Sequence, residues 1–269
     1  MTTKFGAIAV AFSLFAVPAV AQTVPPVPAA PEPVRHIQPS KIILVGDSTT
    51  AVFGGWGPSF CGYHVTSFMA CVNLARGGRS TGNYRAEGSW DIALSEMRTP
   101  GYRDIWVLIQ FGHNDQPGKP GRSTDLATEF PANLKHYVEE ARAAGAHPVL
   151  VTPLTRRSFV DGKLVNDLAP WAAATRKVAA ELKVPLLDLN ADSSAAVAAM
   201  GSAAADRFAE VPPGVAQPTQ ATSARSTEVM VNPMAQPKLS FDHTHLGIEG
   251  ANYFAAMVLG LTAKDRKAG

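Results

Sequence analysis

The stretch KIILVGDSTT, residues 41–50, decides how the fold is interpreted. Its first six residues are mostly aliphatic and end at a glycine, as is typical of the continuous hydrophobic run of a buried parallel strand. Asp47, Ser48 and two threonines follow, where the chain should turn into a helix. Ser48 is therefore either the cap of a first helix or a nucleophile at the edge of a sheet, where exposed amides can stabilise an oxyanion.

Four further runs have strand character, and helical patterns lie among them. The expected strands are residues 65–75, 104–112, 147–153 and 184–190. The expected helices are residues 126–145, 169–183, an alanine-rich stretch at 193–210, and 247–263. This alternation predicts an α/β domain with a parallel sheet that is covered on both faces. Five strands favour a flavodoxin-like order, in which functional groups collect at the carboxyl ends of the strands.

The composition indicates an ordinary globular domain. Of the 269 residues, 46% are hydrophobic and 17% are charged, which allows a sizeable core in one α/β domain. The formal net charge is only +2 and the basic residues form no run, so we expect no nucleic-acid partner.

The first 21 residues have the pattern of a signal peptide. Lys4 precedes an apolar stretch, and small residues end at Ala21, where cleavage is expected. A membrane anchor is the alternative, but the stretch is short for a span of about 20 residues and Pro18 interrupts it. The sequence therefore predicts a secreted or periplasmic protein that is not held in a membrane after cleavage.

The remaining chain divides by composition. Residues 22–40 are rich in proline and predict an extended linker. The catalytic domain is expected at 41–263, with a polar insertion around 209–239 and a tail at 264–269. Long loops of this kind are either functional rims or mobile insertions, and both alternatives stay open here.

Two cysteines, Cys61 and Cys71, are the only ones in the chain. In an oxidising compartment they could form a disulfide, and free buried thiols are the alternative. Two thiols alone cannot form a structural zinc site.

Three segments distant from Ser48 carry further candidate groups. Gly78, after the second strand, could direct its amide at an oxyanion, and Asn114, after the third, could donate from its side chain. Asp242 and His245 lie three residues apart before the last helix. The carboxylate could hold one imidazole nitrogen while the other nitrogen accepts the serine proton.

Each of these signals has a simpler interpretation. The glycines around position 78 could form a plain strand-to-helix turn. The sequence HTH at 243–245, together with FGHND at 111–115, could instead supply metal ligands. The G-x-S-x-G elbow is missing around Ser48, which argues against an ordinary α/β-hydrolase.

The order of these groups along the chain resembles that of the SGNH hydrolases of the GDSL type. Ser48, Gly78, Asn114 and His245 match the four defining blocks of that superfamily. The motifs GDSTT, GGWG, NLARGGRS, FGHND, TPLTRRSF and DHTHL are most similar to the rhamnogalacturonan acetylesterase branch of carbohydrate esterases. The resemblance covers about residues 41–261.

This resemblance implies a three-layer α/β/α sandwich and hydrolysis of acetyl esters on a polysaccharide, with no cofactor and no metal. It implies that Ser48 is the nucleophile, His245 the base and Asp242 the partner of the histidine. The implied oxyanion hole consists of the amides of Ser48 and Gly78 and the side chain of Asn114.

The expected partner is an acetylated polysaccharide or oligosaccharide, most of all acetylated rhamnogalacturonan of pectin. Trp56 could stack on a sugar, and Arg79, Arg156 and Arg157 could pair with uronate carboxylates or, alternatively, serve loops and internal carboxylates. An acetylxylan esterase or a general short-chain esterase or lipase is the alternative, and a non-catalytic carbohydrate-binding protein is a further one. The sequence predicts no oligomeric state.

Overall fold

The structure is a computed structural model that describes residues 36–214 and 240–268. The chain divides into two compact units, Met1–Ile37 and Gln38–Gly269, and the following description concerns the second. The predicted signal peptide, most of the predicted linker and most of the predicted insertion lie outside the described residues.

Five parallel strands form the central sheet, and two short antiparallel strands form a hairpin beside it. In chain order they are β1 (Ser40–Gly46), β2 (Met69–Asn73), β3 (Ile105–Gln110), β4 (His147–Val151), the hairpin strands β5 (Phe159–Val160) and β6 (Lys163–Leu164), and β7 (Leu186–Leu187). The sheet order is β2-β1-β3-β4-β7, so the predicted flavodoxin-like arrangement is confirmed.

The helices are α1 (Gly57–Ser59), which continues into a π-helical turn (Phe60–His64), α2 (Thr81–Ala86), α3 (Ser89–Met97), α4 (Glu129–Ala143), α5 (Ala169–Leu182), α6 (Leu189–Asp206) and α7 (Ile248–Ala268). The sequence patterns did not indicate α2 and α3. Helix α7 continues through most of the predicted tail.

Alternate strand residues face opposite sides of the sheet and build two hydrophobic cores. Ile43 and Val45 face a core that helices α2 to α5 cover. Leu44 faces a second core under the π-helical turn, α6 and α7. This arrangement is the three-layer α/β/α sandwich that the sequence predicted.

The last strand of the sheet is shorter than predicted. It covers only two residues because the side chain of Asp188 accepts a hydrogen bond from the amide of Ala191 and caps α6. Helix α6 therefore begins at Leu189, four residues before its predicted start at 193, and Gly201 interrupts it with a non-helical conformation.

Cys61 and Cys71 form a disulfide in this structure. It joins the π-helical turn to β2, which lies at one edge of the sheet. In the part of the chain that the structure describes, no helix has both the length and the apolar character that crossing a membrane requires.

Candidate active site

The segments that follow β1, β2 and β3 all leave the sheet at the carboxyl ends of these parallel strands. Gly46 at the end of β1 pairs with Gln110 at the end of β3, and its carbonyl accepts from the amide of Arg76 after β2. A Cβ atom at position 46 would lie 2.6 Å from the carbonyl oxygen of Gln110, so this close approach requires glycine. The segments that carry Ser48, Gly78 and Asn114 therefore leave the sheet side by side.

Ser48 lies in a tight turn, and the first helix begins only at Gly57. The carbonyl of Asp47 accepts from the amides of Thr50 and Ala51, and its Oδ1 accepts from the amide of Thr49 at 2.9 Å. Asp47 and Thr49 are buried, whereas Ser48 is half-buried. The turn therefore leaves the Ser48 side chain partly exposed. Because Ser48 does not lie at the start of a helix, the alternative of a helix cap is wrong.

Asp242 and His245 form a hydrogen-bonded pair. His245 Nδ1 lies 2.7 Å from Asp242 Oδ2, while Oδ1 accepts from the amides of Thr244 and His245 at 2.8 and 2.7 Å. Burial raises the pKa of the Asp242 carboxyl, but these hydrogen bonds outweigh burial and hold the pKa below its usual value. An ionised Asp242 places the proton of the neutral imidazole on Nδ1, which leaves Nε2 free to act as a base.

Gly54 brings the His245 ring against the segment that carries Ser48. Its carbonyl accepts from the amide of Leu246 at 2.9 Å, and its φ is 76°. A Cβ atom at this position would lie 2.9 Å from His245 Cδ2, which is bonded to Nε2. The side of the ring opposite Asp242 therefore faces the segment that carries Ser48. Within the described residues the Ser48 hydroxyl makes no hydrogen bond.

Two hydrogen bonds orient the side chain of Asn114 and leave one N–H of its amide nitrogen free to donate to another acceptor. Nδ2 donates to the carbonyl of Arg79 at 3.0 Å, and Arg122 Nη1 donates to Oδ1 at 3.4 Å. This pattern determines which way the amide points and leaves the second N–H of Nδ2 available. Gly78 is buried, has a φ of 78°, and directly precedes Arg79, whose carbonyl Asn114 contacts. Neither the amide of Gly78 nor that of Ser48 donates to another group in residues 36–214 and 240–268.

Arg157 holds the loop that carries Asp242 and His245. Its side chain is fully buried, and Nη2 donates to the carbonyls of Asp242 and His245 at 3.0 and 2.9 Å. Nη1 makes a longer contact of 3.4 Å with the carbonyl of Thr244, and the amide of Arg157 donates to the carbonyl of His243 at 2.8 Å. Burial lowers the pKa of Arg157 to about 10, so the guanidinium remains charged at neutral pH.

The structure contradicts three of the predicted sugar contacts. Trp56 is fully buried in the second core, and its Nε1 donates to Gln110 Oε1 at 2.8 Å. Arg79 is buried and makes a bidentate pair with Glu87. Arg157 is buried against backbone carbonyls, as described above. None of these three side chains has a free face or a free charge for a sugar.

Arg156 lies at the surface of the site and is half-buried. Its Nη1 is paired with Asp167, and its Nε donates to Thr244 Oγ1 at 3.2 Å. The predicted uronate contact of this residue stays a prediction.

His113 and Asp115, the two neighbours of Asn114 in sequence, contact residues of other segments of the site. His113 Nδ1 lies 3.3 Å from Asp47 Oδ2, and burial lowers the pKa of His113 below its usual value. Asp115 Oδ1 accepts from the amide of Thr81 at 3.0 Å, and burial raises the pKa of Asp115 to about 6. These contacts connect the Asn114 segment to the turn that carries Ser48 and to the start of α2.

The metal alternative has no geometric support in the described residues, among which no group of three or more His, Cys, Asp or Glu side chains is arranged to hold an ion. His113 is buried beside Asp47, whereas the exposed His243 has its Nδ1 3.6 Å from Asp206 Oδ1.

Sequence reasoning missed Gly54 and two cationic residues that contact the Asn114 segment: Arg122, and Lys119, whose Nζ donates to the carbonyl of His113. Gly54 is visible only as half of a glycine pair, and its contact partner lies 191 positions further along the chain. Lys119 and Arg122 lie in a Pro- and Gly-rich loop directly after FGHND. That proximity to Asn114 was the available signal.

Residues 44–252 match the model of the GDSL-like Lipase/Acylhydrolase family, so the chain belongs to that family. It is a carboxylic ester hydrolase, as the sequence predicted.

Two curated relatives from Bacillus subtilis (strain 168) are each 37% identical to the chain. The probable rhamnogalacturonan acetylesterase YesY aligns over 155 residues, which are 55% of this chain and 69% of the relative. The rhamnogalacturonan acetylesterase RhgT aligns over 172 residues, which are 61% of this chain and 71% of the relative. The predicted similarity to this branch is therefore confirmed.

Solved structures share the fold. Protein YXIM from Bacillus subtilis is 22% identical with a TM-score of 0.63, and the match covers 87% of this chain and 58% of that one. A catalytic mutant of Axe2, an acetylxylan esterase from Geobacillus stearothermophilus, is 15% identical with a TM-score of 0.52 and covers 86% and 96%. At these identities the similarity concerns the fold alone.

Proposed function

We propose that the chain is a serine esterase that removes acetyl groups from plant cell-wall polysaccharide, and that acetylated rhamnogalacturonan is its main substrate. The observation that carries the proposal is the Asp242–His245 pair, whose ring faces the Ser48 segment across Gly54. The two rhamnogalacturonan acetylesterase relatives, each at 37% identity, support the choice of substrate.

In the first step, Ser48 Oγ attacks the carbonyl carbon of the acetyl group while His245 Nε2 takes its proton. Asp242 stabilises the imidazolium that forms. Negative charge develops on the carbonyl oxygen, where the amides of Ser48 and Gly78 and the free N–H of Asn114 Nδ2 can donate to it. The imidazolium then protonates the departing sugar oxygen, which leaves an acetyl-serine.

In the second step, a water molecule replaces the sugar. His245 Nε2 removes a proton from the water as the oxygen attacks the acetyl-serine, and the same donors hold the oxyanion. The proton returns to Ser48 Oγ as the ester bond breaks and acetate leaves. Every proton transfer therefore passes through one imidazole nitrogen.

Acetate release from acetylated rhamnogalacturonan, acetylated xylan and nitrophenyl esters of increasing acyl length tests the proposal. The exposed Ser67 provides a matched control, since Ser67→Ala should keep full activity while Ser48→Ala should lose nearly all of it. A serine-reactive phosphonate should label the wild type but not Ser48→Ala.

The alternatives give different outcomes. A preference for xylan would overturn the choice of substrate, and activity that rises with acyl length would favour a lipase or thioesterase. Glycan binding with neither turnover nor phosphonate labelling would overturn the esterase mechanism and favour a binding protein.

A further inference from the structure

We propose that Lys119 and Arg122 form a carboxylate-binding subsite beside Asn114, which holds a uronate of the acetylated glycan. This inference rests on the proposed function, because it concerns how the same site selects an acidic polysaccharide.

The two cationic side chains reach adjacent residues of the Asn114 segment. Lys119 Nζ donates to the carbonyl of His113, and Arg122 Nη1 donates to Asn114 Oδ1 at 3.4 Å. These acceptors belong to consecutive residues, so both cationic side chains contact the Asn114 segment, and Arg122 contacts the candidate oxyanion donor itself. Both side chains belong to half-buried residues, so each keeps a face toward solvent.

The loop that carries them is held by its own hydrogen bonds. The Ser123 hydroxyl accepts from the amide of Lys119 at 2.9 Å and donates to the carbonyl of Gln116 at 2.8 Å. The carbonyl of Lys119 accepts from the amides of Arg122 and Ser123 at 3.0 and 2.9 Å. Thr124 Oγ1 then donates to Asp115 Oδ1 at 2.9 Å. The two cations are therefore positioned before a ligand arrives, which lowers the entropic cost of binding.

Neither cation is part of a salt bridge within the described chain. Arg79 and Arg156 are each paired with a carboxylate, whereas Lys119 and Arg122 make no salt bridge in residues 36–214 and 240–268. Burial lowers the pKa of Lys119, and the charges of Arg156 and Arg122 lower it further. The charges of Asp47 and Asp167 also act on Lys119 and raise its pKa, but by less. Crowded positive charge of this kind is stabilised when an anion binds between the groups.

A groove of about 460 Å³ lies beside Arg122 and provides space for a sugar. Arg122 lines it together with Asn83 of α2 and Asn133 of α4. Glu129 is the acidic residue of the lining, and its Oε2 accepts from the amide of Asp125. A carboxylate at the Arg122 end would place the next part of the glycan chain in this groove.

Calorimetric binding of a deacetylated rhamnogalacturonan oligosaccharide and of its carboxyl-reduced form tests the subsite. The measurements use Ser48→Ala alone and combined with Lys119→Gln, Arg122→Gln or, as a matched control, Lys135→Gln. Lys135 is paired with Glu181 at 2.6 Å on the outer side of α4 and α5. We expect the acidic form to bind about threefold to tenfold more tightly than the reduced form for each cation engaged, and less so at high salt.

Loss of that preference in the Lys119 and Arg122 variants, with retention in the Lys135 variant, supports the subsite. Equal binding of the two oligosaccharides by Ser48→Ala overturns it. If Ser48→Ala combined with Lys119→Gln and Ser48→Ala combined with Arg122→Gln both keep the full preference for the acidic oligosaccharide, the assignment of these residues is wrong. Neither result affects the esterase mechanism, which the acetate assay tests separately in the wild type.

Discussion

Replacement of Arg157 by methionine should loosen the loop that holds Asp242 and His245 while the sheet remains folded. The guanidinium is fully buried and donates from Nη2 to two backbone carbonyls of that loop at 3.0 and 2.9 Å. Methionine fills much of the same volume but has no donor. The substitution therefore leaves these carbonyls short of a hydrogen bond without opening a large cavity.

The magnitude follows from the bonds that are lost. Two hydrogen bonds from a charged donor are worth about 3–6 kcal/mol in total. The substitution also removes the desolvation cost of Arg157, whose Nε has no partner within the described residues. We expect a net loss of about 1–3 kcal/mol, concentrated in residues 240–246. If a misplaced His245 raises the activation barrier by a similar amount, kcat falls about 5-fold to 150-fold.

Hydrogen exchange and acetate release together test this reasoning. The amides of Thr244 and His245 donate to Asp242 Oδ1, so their exchange reports directly on the loop. Exchange there should accelerate in Arg157→Met, while amides of β1 and β3 stay protected. Arg157→Lys keeps the charge but has a single donor group in place of the fork, so its effect should be intermediate.

Arg207→Met is the matched control, because Arg207 is an exposed arginine paired with Glu249 at 2.6 Å. It should change neither kcat nor exchange in the loop. Turnover within about twofold of wild type in Arg157→Met, with unchanged exchange of residues 242–246, would refute the reasoning. Global unfolding at low urea would instead show that the arginine supports the whole domain.

Three further predictions concern the proposed catalytic groups. Asn114→Ala should lower kcat about 100-fold or more with an unchanged circular dichroism spectrum, because one oxyanion donor is lost. Gly54→Ala should lower kcat because the added Cβ would displace the His245 ring and φ of 76° is strained for alanine, and a crystal structure would show the displacement. The folded pKa of Asp242 lies below its unfolded value near 3.9, so its stabilising effect is present above that pH and is lost as pH falls. The difference in Tm between wild type and Asp242→Asn should therefore be full near pH 7 and shrink below about pH 4, and a constant difference would contradict the assignment.

The sheet could be predicted because each inner strand is a continuous hydrophobic run that ends in a turn. Residues 41–46 and 104–112 have this pattern, and they became β1 and β3 with small changes at their ends. The boundary of β7 could not be predicted, because the hydrophobic run continues to Leu189 while the side chain of Asp188 already caps the next helix.

The local part of the site could also be predicted, whereas its environment could not. Asp242 and His245 are three positions apart, so their pairing follows from the loop itself. A sequence gives the chemistry of Trp56 and Arg157 but not their surroundings, and both are buried by contacts with distant segments. Arginine is mostly exposed in proteins and tryptophan is rarely buried completely, which is why these buried side chains were mistaken for sugar contacts.

The His245 loop is held on two sides by described residues. On one side, the amide of Glu210 donates to the carbonyl of His245, and that of Gly247 donates to the carbonyl of Phe208 at 2.9 Å. On the other side, Arg157 Nη2 donates to the carbonyls of Asp242 and His245. The chain therefore leaves toward residue 214 and returns at residue 240 next to the same anchored loop. The described contacts that hold the His245 loop therefore come from residues before 214 and from the loop itself.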